Sequence, residues 1–71
     1  MMMSYKDLDK EFETLCDEYA VSPPVGPSQE LTKADRVGNV QGMLNVAKEQ
    51  FPNNDTTEEF IENCEAFLSV Q

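Results

Sequence analysis

SYKDLDKEFETLCDEY, residues 4–19, decides the fold. Its apolar residues Tyr5, Leu8, Phe12, Leu15, Cys16 and Tyr19 recur at i, i+3 and i+4, which gathers them on one stripe of a helix. Asp7, Asp9, Glu11, Glu13, Asp17 and Glu18 fall mostly off that stripe and face only Lys6 and Lys10, so the segment carries a net charge of −4. Ser4 followed three residues later by Asp7 reads as a capping box with the shorter acid, which places the helix start. One such helix cannot bury its stripe alone, so the rest of the chain must supply partners for it.

Two further stretches do so. Thr32 with Asp35 offers a second capping box, with Ser28 as an earlier alternative start. From there Val37, Val40, Met43, Leu44, Ala47 and Phe51 form an apolar stripe, and Pro52 disfavours helix at the residue before it. Gly38 and Gly42 each cost about 1 kcal/mol relative to Ala inside a helix, which leaves a kink or break near Gly38 as the alternative to a continuous helix. The run 37–47 contains no charged residue. After the turn Pro52-Asn53-Asn54-Asp55, Thr56 with Glu59 reads as a third capping box, with Asp55 as an alternative cap. Phe60, Ile61, Cys64, Phe67 and Leu68 then make the third stripe.

The first two helices are separated by Val21-Ser22-Pro23-Pro24-Val25-Gly26-Pro27, where three prolines and a glycine forbid continued helix. Pro24 and Pro27 form a P-x-x-P, but no adjacent Arg or Lys would orient it in an SH3-type groove. The stretch 21–28 therefore reads as a stiff connector. No alternating strand pattern and no internal repeat occur. The expected architecture is all-α: a small three-helix bundle of one domain, 1–71, with helices at about 4–19, 32–51 and 56–69. At 71 residues such a body has barely enough core to offset chain entropy, so marginal stability or help from a partner chain is expected. The apolar share of 39% and the helical periodicity argue against a disordered chain.

Charge bounds the function more tightly than size does. Fourteen acidic residues against five basic ones leave −9, which repels phosphate backbones and anionic bilayers and attracts basic protein surfaces. The first and third helices supply all of it, because Glu30, Asp35 and Glu49 cancel Lys33, Arg36 and Lys48. No 18-residue apolar run is present, and Met1-Met2-Met3-Ser4 lacks the basic flank and apolar stretch of a secretion signal. A cytoplasmic chain with reduced thiols is expected.

Catalytic chemistry is hard to assemble from these residues. Histidine, the commonest general base and a common metal ligand, is absent. Cys16 and Cys64 sit on apolar stripes and read as small buried hydrophobes, or as a helix-to-helix disulfide in an oxidising setting. An activated thiol would need cationic surroundings, which an acidic chain does not provide. The i+2 alternation Asp7, Asp9, Glu11, Glu13 splits carboxylates across helix faces. Asn53-Asn54-Asp55 followed by Glu58 and Glu59 lacks the glycine and ligand spacing of an EF-hand loop. No enzyme activity, no metal and no cofactor are expected.

Two surfaces remain as candidates. The first is acidic: Glu58, Glu62 and Glu65 as a ridge on the third helix with Glu59 beside it, facing the acids of the first helix, Asp7, Glu11 and Glu18. Such a surface can imitate the phosphate spacing of a nucleic acid and dock in a basic groove as a stoichiometric inhibitor. In composition alone the chain is similar to small phage or mobile-element proteins that blunt host defence or transcription. The second is a line of small residues on the middle helix, Ala34, Gly38 and Gly42, continued by Val46 and flanked by Leu31. It lets another backbone approach closely: the first or third helix within the bundle, a larger protein to which this chain is an adaptor or small subunit, or a second copy forming a homodimer. The partner in either case is a protein, with no direct nucleic-acid or membrane contact.

Overall fold

The computed structural model describes residues 4–22 and 32–70. They form a three-helix bundle of α1 (Tyr5–Glu18), α2 (Lys33–Gln50) and α3 (Asp55–Ser69), with no strand among the described residues. The greater part of the expected connector, the alternative start at Ser28, and Leu31 lie outside the described residues.

Local chemistry sets most of the boundaries. Ser4 Oγ accepts from the Asp7 amide at 3.3 Å while the Ser4 amide donates to Asp7 Oδ2 at 3.4 Å. Thr32 and Asp35 repeat the arrangement at α2, with distances of 3.2 and 3.3 Å. Each box satisfies amides that a helix start leaves without partners. At the other end of α2, Phe51 is extended (ψ 148°), as Pro52 requires of the residue before it. The helix runs through Gly38 and Gly42 without interruption, in keeping with the expected span 32–51.

The third start differs from expectation. Asn54, not Thr56, caps α3: its Oδ1 accepts from the Thr57 amide at 2.8 Å, and the helix begins at Asp55. Thr56 is an exposed member of the first turn and Glu59 closes no box. Tertiary structure rewards Asn at this position twice, because its Nδ2 also donates to the Tyr19 hydroxyl at 3.1 Å. A cap that also ties down another helix outcompetes a purely local alternative.

α1 closes in a Schellman arrangement. The Val21 amide donates to the Cys16 carbonyl at 2.9 Å and the Ala20 amide to the Asp17 carbonyl at 3.4 Å. Ala20 takes φ 55°, where glycine is the usual residue. The turn brings Val21 back onto the core, so this residue belongs to the end of α1 and not to a free connector.

The three stripes meet as the periodicity requires. Leu8, Phe12, Leu15 and Cys16 of α1 are buried with Val40, Met43, Leu44 and Ala47 of α2 and with Phe60, Cys64 and Phe67 of α3; Phe51 joins them. Burying a side chain the size of Leu8 or Phe60 contributes about 1.5–3 kcal/mol relative to exposure. Phe51 is the hinge of the packing. Its ring lies 5.8 Å from Phe12, 6.3 Å from Phe60 and 5.3 Å from Tyr19, so one aromatic group joins all three helices. Tyr5 and Tyr19 are only half-buried, and each keeps its hydroxyl on an amide: Tyr5 accepts from Asn39 Nδ2 at 3.1 Å, as Tyr19 does from Asn54.

These contacts also give the directions of the helices. Tyr5 meets Asn39 and Tyr19 meets Phe51, so α1 and α2 run in the same sense. Tyr19 reaches Asn54 at the start of α3, while Phe12 stacks on Phe60 further along it, so α1 and α3 run in opposite senses. The end of α1 and the start of α2 therefore lie at opposite ends of the bundle.

Candidate functional site

The acidic residues of α3 occupy an outward face and the flank beside it. Each residue step turns an α-helix by about 100°. On α3 this sends Glu58, Glu62 and Glu65 away from the buried Phe60, Cys64 and Phe67, and all three are exposed. Glu59 sits about a quarter turn round from Glu58, on the flank toward α1. Its charge acts across the α1–α3 seam on Glu11, which is half-buried. Burial, and after it the Glu59 charge, hold the Glu11 carboxyl above the usual carboxylate range.

That one juxtaposition orients both helices. Asp7 and Glu18 share the α1 edge of Glu11 at i−4 and i+7, whereas Lys6 and Lys10 lie off it. On α3, Asp55 and Glu62 flank Glu59 at i−4 and i+3. The seam between α1 and α3 is thus bordered by carboxylates from both sides and by no basic residue of either helix. Asp55 was weighed in the sequence only as a cap; its i, i+4, i+7 spacing with Glu59 and Glu62 was the available sign of a shared edge. Asp7 has a second task, since its carboxylate accepts from Ser4 in the α1 cap.

The small-residue line has a different setting from the one expected inside the bundle. Ala34, Gly38 and Gly42 are exposed, and among the described residues a Cβ added to either glycine would meet nothing within 4 Å. Neither α1 nor α3 lies against this line, because α2 buries its opposite face through Val40, Met43, Leu44 and Ala47. Val46 is half-buried and packed against the core, so it edges the line without extending it. Gln41 and Asn45 border the glycines and bond to each other at 3.4 Å.

Cys16 and Cys64 are both buried free thiols. Burial raises the pKa of each. Cys64 is pushed up to about 12, with Glu11 and then Glu65 adding to the effect. Cys16 is raised in turn by burial, Asp17 and Glu13. Both stay protonated at neutral pH, so neither offers a thiolate nucleophile. Among the described residues no group of three or more Cys, Asp or Glu side chains could hold a metal ion. No helix among them is long and apolar enough to cross a membrane. The periodic apolar stripe of α3 does not include Thr57, which is buried and whose hydroxyl has no hydrogen-bond partner among the described residues. Its i−3 spacing from Phe60 was the signal for its inward position. Comparison with known proteins finds no family model, no curated protein and no solved structure that matches the chain.

Proposed function

We propose that this chain is a non-enzymatic, cytoplasmic protein-binding module that presents carboxylates to the basic, nucleic-acid-binding surface of a partner protein and acts on it as a stoichiometric inhibitor or modulator. The observation that carries this reading is the array of exposed carboxylates on α1 and α3, Asp7, Glu18, Asp55, Glu58, Glu59, Glu62 and Glu65, with no basic residue on α3, close enough between helices for Glu59 to act on the Glu11 carboxyl. Like charges so placed oppose folding, and a basic partner would offset that cost. The ends of the helices add to it. The last turns of α1 and α3 carry no basic residue, and Asp17 and Glu18 stand at the negative pole of α1, where cations are favoured. The partner-facing residues in this reading are Glu58, Glu59, Glu62 and Glu65 with Asp7, Glu11 and Glu18.

The test is affinity capture from native host lysate with the full chain and with a Glu59→Gln, Glu62→Gln, Glu18→Gln variant. The reading expects a partner held at 0.1 M salt, released at 1 M as the screening length falls from about 10 Å to about 3 Å, displaced by duplex DNA, and not captured by the variant. A partner that stays bound to both proteins at 1 M salt would overturn it.

A second reading is favoured by the open glycines. Among the described residues Gly38 and Gly42 have no contact that requires them, so Ala34, Gly38 and Gly42, edged by Val46 and with Leu31 nearby in sequence, could seat another helix of a larger complex or of a second copy. Such docking would persist at high salt, and size-exclusion chromatography of the free chain reports the homodimer directly.

A further inference from the structure

We draw no further inference here: the strongest candidate, the outward line of Ala34, Gly38 and Gly42 on α2, already enters the second reading above and nothing in the structure shows what covers it.

Discussion

Replacing both Gly38 and Gly42 with Ala separates folding from docking at one surface. Both glycines lie inside an uninterrupted helix on its solvent side, and an added methyl at either meets no atom of the described residues within 4 Å. No steric cost therefore opposes the gain in helix propensity, which is about 1 kcal/mol per Gly→Ala change in an exposed helix interior. Part of that gain comes from the unfolded chain, which loses conformational freedom when glycine is removed. The double variant should gain up to about 2 kcal/mol, less any coupling between two sites only one helical turn apart. For a domain of this size each kcal/mol moves the melting temperature by about 4–8 °C. Urea titration followed by circular dichroism should show a higher midpoint at an unchanged slope, since the surface exposed on unfolding hardly changes. Loss of stability in either single variant would refute the reasoning, because it would mean that another part of the chain lies against these glycines. The same protein bears on function: a carboxylate-mediated complex should survive the two methyls, whereas close helix docking on this line should not.

Four other outcomes follow from single side chains. Ala20→Gly relieves a left-handed residue that costs roughly 1–2 kcal/mol, offset by the greater freedom of glycine in the unfolded chain, for a net gain of about 0.5–1 kcal/mol in thermal denaturation. Thr57→Val removes a buried hydroxyl without a partner at nearly constant shape and should leave stability unchanged or raise it by about 1 kcal/mol; a clear loss in the urea midpoint would show that the hydroxyl is satisfied. Phe12→Ala empties the space against Phe51 and Phe60 and should cost about 3–5 kcal/mol, enough to abolish cooperative melting; near-native helicity would place the core elsewhere. The Glu11 carboxyl is raised in the folded state, so its ionisation opposes folding above that raised pKa, and the penalty fades as pH falls toward the ordinary carboxylate range. Glu11→Gln should therefore stabilise the protein at neutral pH and reduce its gain in stability on acidification; unchanged pH dependence would remove Glu11 from the seam.

Much of this protein can be read from periodicity and capping chemistry alone. Both follow from contacts within one or two turns, which is why Ser4 with Asp7, Thr32 with Asp35, and the stripes through Phe12, Leu44 and Phe60 announce three helices and their buried faces. The same reasoning failed at α3, where the choice of Asn54 over Thr56 depends on a tyrosine 35 residues away. Sequence spacing could set Glu59 beside the ridge of Glu58, Glu62 and Glu65, because it defines the faces of one helix, but not which residue each face meets. Only packing gave α1 and α2 a common direction, put Phe51 among all three helices, set Glu59 against Glu11, and left Gly38 and Gly42 on the outside. The physical reason is range. Hydrogen bonds and backbone preferences act between residues near in the chain, whereas burial and charge act between residues near in space, and the second kind of neighbour exists only once the helices have docked.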